Sequence, residues 1–184
     1  MSVTFGTLLF SILSLVLIFA LLFNYLIRLY NITCEAEADV NVQLKRRHDL
    51  IPKLVDAVSA YSAHEKRVLE DIAKTRSECL DTGALPERSA SESRLAGSIR
   101  SILALAESYP DLKADQNFLS LQKEISAVED AIQNSRRLYN GAVRNYNVLA
   151  QSFPALLIAR AANFKSREYF ELAAQEDESP PVRF

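Results

Sequence analysis

Apolar side chains run almost without interruption from Phe5 to Ile27, about 23 residues with no Asp, Glu, Lys or Arg among them. At a rise of roughly 1.5 Å per residue, a helix of that length spans roughly 35 Å, enough to cross a hydrocarbon core of roughly 30 Å with some tilt. Residues 1–29 are therefore read as a short N-terminus and a transmembrane anchor. A cleaved secretory signal would place basic residues before a shorter apolar core and small residues just after it. Met1 to Thr4 carries no Lys or Arg, and Ala36-Glu37-Ala38 lies well past the run. Asn31-Ile32-Thr33-Cys34 is a poor lipoprotein box, because the residue before the cysteine is not Gly or Ala. The anchor is expected to be retained.

Beyond it the pattern changes to the spacing of amphipathic helices. Phe118, Leu121, Ile125, Val128, Ile132, Ser135, Tyr139, Ala142, Tyr146, Leu149 and Phe153 alternate spacings of three and four. This predicts one long helix from Asp115 or Asn117 to about Ala150, buried along a single stripe. A shorter helix is predicted from Ser89 to Ser108 on Leu95, Ile99, Ile102 and Ala106, closed by the turn at Tyr109-Pro110-Asp111. The loop Asp81 to Pro86 precedes it, with Gly83 suited to ending a helix and Pro86 to stopping its continuation. Pro154 opens a short apolar helix from Ala155 to Ala162.

The segment from Tyr30 to Leu80 admits two readings. Val40, Leu44, Ile51, Leu54, Val58, Tyr61, Val68 and Ile72 keep one helical phase, as in a single helix bent at Pro52. An interior proline costs roughly 3 kcal/mol, whereas Asp49 as N-cap would put Pro52 in a first turn, where its missing N–H matters little. Matched helix lengths favour the second reading, a reversal near His48 and Asp49. The expected fold is all-α: a transmembrane helix followed by an antiparallel up-and-down helical bundle over 30–174, with a disordered tail at 175–184. The bundle has four helices under the reversal, or three long ones if the helix continues through Pro52. The reversal would bring Phe164, Lys165, Arg167, Tyr169 and Phe170 beside lipid headgroups, and the continuous helix would leave them at the distal tip.

Charge adds an orientation. Lys and Arg near a span stay cytoplasmic, and here Arg28, Lys45, Arg46 and Arg47 all follow the run, so the helical domain is expected in the cytoplasm with the N-terminus outside. The formal net charge of −2 gives no support to a nucleic-acid partner. Cys34 and Cys79 stand in no metal or disulfide spacing and read as unpaired thiols in a reducing compartment.

Signals of chemistry are few. His48 and His64 would point roughly 160° apart on one helix, too far to share a metal. No phosphate loop, nucleophile elbow or paired cysteine set is present. No catalytic residue, metal or cofactor is assigned. Two constellations are candidates for interaction or anion binding. Lys45, Arg46 and Arg47 form either a headgroup or anion site, at roughly 1 kcal/mol per cation near an anionic surface, or ion pairs with an acidic neighbouring helix. Arg137, Tyr139, Asn140, Tyr146 and Asn147 repeat a Tyr-Asn pair after seven residues, which puts both rings on one seam. They read either as core, with the asparagines fixing register, or as part of a binding site.

These motifs together carry a resemblance. Leu29-Tyr30-Asn31, the run from Val42 to Val55 and Tyr61 with His64-Glu65 are similar to the LemA family. So are Tyr109 to Ala114, Asn117-Phe118 with Leu121-Gln122, Arg137 to Asn140, Tyr146-Asn147 and Ser152-Phe153-Pro154. Lys53 stands where such proteins often have Asn, and Thr33 to Glu37 is unusual. The resemblance implies a bacterial membrane protein with a short extracytoplasmic N-terminus, a helical-bundle domain and no established catalytic activity. Two functions follow. One is a single-pass, non-enzymatic scaffold of the cell membrane that binds protein partners through exposed bundle faces, possible homo-oligomerisation included. The other is an enzyme or ligand-binding module with a pocket between helices near the basic and Tyr-Asn motifs.

Overall fold

The computed structural model describes residues 2–61, 65–81, 83 and 85–170, and every regular element among them is an α-helix. These are α1 (Ser2–Ser59), α2 (Lys66–Asp81), α3 (Leu85–Ala106), α4 (Pro110–Ala114), α5 (Gln116–Gln151) and α6 (Ala155–Ala161). Part of α1 is long and apolar enough to cross a membrane. There Phe5, Phe10 and Leu15 are 71%, 74% and 69% exposed among the described residues. Contacts divide the chain into two compact units. The first holds the described residues up to 39 together with 137–169, and the second holds 40–136 with Phe170.

The second unit is an up-and-down set of four helices joined by short connections, which make consecutive helices antiparallel. Its core takes Val40, Leu44, Ile51, Leu54 and Val58 from α1, Ile72 and Cys79 from α2, and Leu95, Ile99, Ile102 and Ala106 from α3. From α5 come Phe118, Leu121, Ile125, Val128 and Ile132. The start of α5 is set by Asp115, whose Oδ1 accepts the Phe118 N–H at 2.9 Å, the bond of an N-cap to the third helical residue. Pro86, expected to prevent the preceding helix from continuing, follows the end of α2 at Asp81 and lies in the first turn of α3, where a proline has no hydrogen bond to lose.

The expected reversal near His48 and Asp49 does not occur; α1 runs straight through Pro52 and turns only after Ser59. A proline at 52 cannot donate to the carbonyl of residue 48, and that carbonyl would be left without its helical partner. Arg76 of α2 supplies the missing donor, its Nε lying 2.9 Å from the His48 carbonyl oxygen. Pro52 itself is exposed. The turn falls in Ala60-Tyr61, where the Ala60 N–H bonds the Asp56 carbonyl and the Tyr61 N–H that of Val58. It contains no Gly or Pro to announce it.

The stripe on α5 also departs from strict heptads. Through Ile132 the predicted positions are buried, but Ser135, Ala142 and Leu149 are only half-buried and Phe153 is 81% exposed. Arg136, Val143 and Ala150 are buried in their place. A helix of 3.6 residues per turn drifts about 20° per heptad against a 3.5 repeat, and one position is the correction that drift demands.

In the first unit, Leu26 of α1 packs with Tyr146 and Ala150 of α5 and Ala159 of α6, and Leu29, Leu149 and Phe164 close around them. Phe164 meets Phe23 and Tyr30 edge to face, with ring centroids 6.2 and 6.0 Å apart. So the helix continues through Pro52, and yet Phe164 lies beside the last turns of the apolar run. The distal placement tied to that helix path is overturned, because the turn after Ser59 still returns the chain.

Two expectations test this fold. Ile132→Asp places a carboxylate at a fully buried position and should lose several kcal/mol, whereas the exposed Gln133→Ala should melt within a degree or two of the parent when followed by circular dichroism. Arg76→Met should destabilise by about 1.5–3 kcal/mol, and by at least 1 kcal/mol less when Pro52→Ala has restored the N–H at position 52. An equal loss in both backgrounds would show that the His48 carbonyl is not what Arg76 serves.

Candidate functional site

The three cations of the Lys45 to Arg47 cluster part company on α1. Lys45 and Arg46 are exposed, and Arg46 bonds Gln43 of its own helix. Arg47 points inward and is 2% exposed. Its Nη2 donates to Oε2 and to the main-chain carbonyl of Glu92 in α3, and its Nη1 lies 3.0 Å from Oε1 of Glu129 in α5. One guanidinium thereby ties three helices of the second unit. His48, the next residue, puts Nε2 3.0 Å from the other Glu92 oxygen, Oε1. Glu92 is buried, and burial works to raise its pKa; the hydrogen bond from His48 and the charge of Arg47 outweigh it and hold the carboxyl below its ordinary value.

Around this centre lie two further buried groups. Cys79 of α2 is 5% exposed, its thiol pushed up by burial and by the nearby charge of Glu92. The Nδ1 or Nε2 of His48, the Sγ of Cys79 and a Glu92 oxygen all lie within 4.8 Å of one another. These three residues line a cavity of about 440 Å³, with Lys45, Arg76 and Arg88 also on its wall. Arg136 of α5 is 5% exposed, its guanidinium 4.5 Å above the Phe170 ring. Burial, and then the charge of Arg47, lowers its pKa. Among the described residues its Nε and Nη2 find no hydrogen-bond partner.

The Tyr-Asn residues belong to the first unit and act on main chain. The Tyr139 hydroxyl donates to the Glu168 carbonyl at 3.0 Å and the Tyr146 hydroxyl to the Lys165 carbonyl at 2.9 Å. Asn147 pairs with both main-chain groups of Arg167, donating to its carbonyl and accepting its N–H, each at 2.9 Å. Residues 164–170, which carry no regular structure, are thus laced to α5 as a strap. Asn163 turns the chain into it. With φ of 56° it ends α6, while the Phe164 N–H bonds the Ala159 carbonyl and the Asn163 N–H that of Arg160, the two bonds of a Schellman cap. The Arg167 side chain then reaches α1, bonding Thr33 at 2.8 Å and Glu37 at 2.7 Å, and stacks 5.2 Å over the Tyr30 ring.

Of the residues singled out in the sequence, Tyr139, Tyr146 and Asn147 therefore share one network. Arg137 is exposed and Asn140 half-buried, both on α5 and outside the bonds to the strap described above. Arg47 is joined to acidic neighbours rather than to Lys45 and Arg46. Sequence reasoning missed Glu92 and Glu129 and gave Cys79 and Arg167 other roles, an unpaired thiol and a headgroup contact, because no local spacing connects any of them to its partners. The family comparison bears on the whole arrangement. The LemA family model matches residues 36–184. The chain belongs to the LemA family. Among its relatives is the protein named LemA from Metamycoplasma hominis (strain ATCC 23114), 31% identical over 131 residues. The alignment covers 71% of this chain and 57% of that LemA protein's own length, so the chain spans little more than half of the relative.

The strap gives a direct test. Asn147→Ala removes two main-chain hydrogen bonds at about 1 kcal/mol each, and trypsin should cut at Lys165 and Arg167 several-fold faster than in the parent. Unchanged cleavage would mean that the tyrosine hydroxyls, the Arg167 side chain and the packing of Phe164 hold the segment without Asn147.

Proposed function

We propose that this LemA-family chain is a single-pass, non-enzymatic scaffold of a bacterial cell membrane, its helical domain cytoplasmic and its strap resting among the headgroups. The reading is carried by the contact of Phe164 with Phe23. Phe23 and Leu26 belong to the apolar run, so whatever packs on them shares their depth. The exposed side chains there suit an interface: Phe153 at 81%, Leu157 at 60% and Tyr169 at 46%, with exposed Arg160 and Lys165 between them. Aromatic rings and cations side by side are the composition of a membrane–water boundary. The orientation rests on Arg28 and the Lys45 to Arg47 cluster, and the protein partners would meet the exposed faces of the helices. The cavity beside Glu92 favours a second reading, a ligand-binding module.

The test uses Ser166→Cys with Cys34→Ser, since Cys79 is too buried to compete for a thiol reagent. A spin label at 166 should be broadened by a relaxation agent carried on lipid. One at Arg137→Cys, nine residues before Tyr146 on α5 and so roughly 14 Å along that helix from the contact of Tyr146 with Tyr30, should be broadened far less. A membrane-impermeant thiol reagent should leave position 166 unlabelled in intact cells and label it after lysis. Equal broadening at both sites would remove the headgroup contact, and labelling in intact cells would reverse the orientation.

A further inference from the structure

We infer that His48, Cys79 and Glu92 form a binding site for a divalent transition-metal ion of the zinc class. They come from α1, α2 and α3, are each at least nine-tenths buried, and offer nitrogen, sulfur and oxygen atoms within 4.8 Å of one another. Zinc takes such atoms at about 2.0–2.3 Å in a tetrahedron, so bound ligands would stand roughly 3.3–3.8 Å apart. Closing from the observed spacing is a matter of side-chain rotation, with the helices in place. The cavity of about 440 Å³ adjoins all three and leaves room for a water in the fourth position.

The surrounding groups decide the class of ion. Glu92 turns one oxygen to His48 and commits the other to Arg47, which also grips the Glu92 carbonyl. A ligating carboxylate held from behind in this way is oriented toward the metal. The charge of Arg47 is itself met by Glu129. Two other cations on the cavity wall are engaged elsewhere, Arg76 with the His48 carbonyl and Arg88 with Asn41. Calcium and magnesium need several hard oxygen ligands, and of the three residues grouped here only Glu92 offers a carboxylate, while Asp49, also on the cavity wall, is exposed. Binding here depends on a thiolate, which selects a softer ion. Uptake of the ion breaks the Cys79 S–H bond and releases that proton to solvent. The proton between His48 Nε2 and Glu92 Oε1 moves to Nδ1 or leaves as well, freeing both atoms as ligands.

Cobalt(II) serves as the probe, added to the purified full-length protein in detergent, because its bond to a thiolate produces an intense charge-transfer band. That band should appear, be abolished by equimolar zinc and survive millimolar magnesium or calcium. Cys79→Ser should eliminate it while Cys34→Ser leaves it intact, and His48→Gln should weaken binding by more than the roughly 10- to 100-fold typical of losing an outer partner. Zinc should also raise the thermal midpoint of the parent and of Cys34→Ser, but not of Cys79→Ser. Absence of the band, or its persistence in Cys79→Ser, would overturn the site.

Discussion

The second unit is organised around a single buried guanidinium. Arg47 is 2% exposed and draws Glu92 and Glu129 toward it from two other helices. Removing water from such a group costs several kcal/mol, so the arrangement adds little net stability over a well-packed apolar core. What it does fix is register. Sliding α3 or α5 by one turn against α1 would strand a charge in the interior, a loss of about 3–5 kcal/mol, while an apolar stripe of Leu and Ile could re-pack after such a slide. His48, the next residue on α1, inherits its position against Glu92 from that register.

The first unit adds neutral hydrogen bonds to its Arg167–Glu37 ion pair. Its tyrosine hydroxyls and the Asn147 amide address main-chain atoms, and the ring of Tyr146 fills the space between Leu26 and Ala159. Each hydroxyl reaches a carbonyl while its ring stays buried, and the same burial raises the pKa of both tyrosines.

Much of this fold could be read from the chain beforehand. The apolar run, the long α5 and the short α6 after Pro154 all followed from spacing and punctuation, because local periodicity reports which face of a helix is buried. The path between Tyr30 and Leu80 did not. Pro52 was the strongest breaker in that segment, and its tolerance depends on Arg76, a residue of another helix whose role no local pattern shows. The true turn at Ala60-Tyr61 lacks the residues that mark turns. The site divided in the same manner. Tyr139, Tyr146 and Asn147 stood out by their repeat, but the partners of that repeat are carbonyls, and any residue supplies a carbonyl. Glu92 was invisible among ordinary surface carboxylates until three helices brought it against Arg47.

Fastening the strap by its main chain separates two kinds of constraint. Carbonyl and N–H groups of residues 165, 167 and 168 carry the attachment, so the side chains of Lys165 and Glu168 are excused from it. Both are exposed. Substituting them alters surface charge without touching the fastening, and the segment can be retuned to a more acidic or more neutral environment while the helices beneath stay as they are.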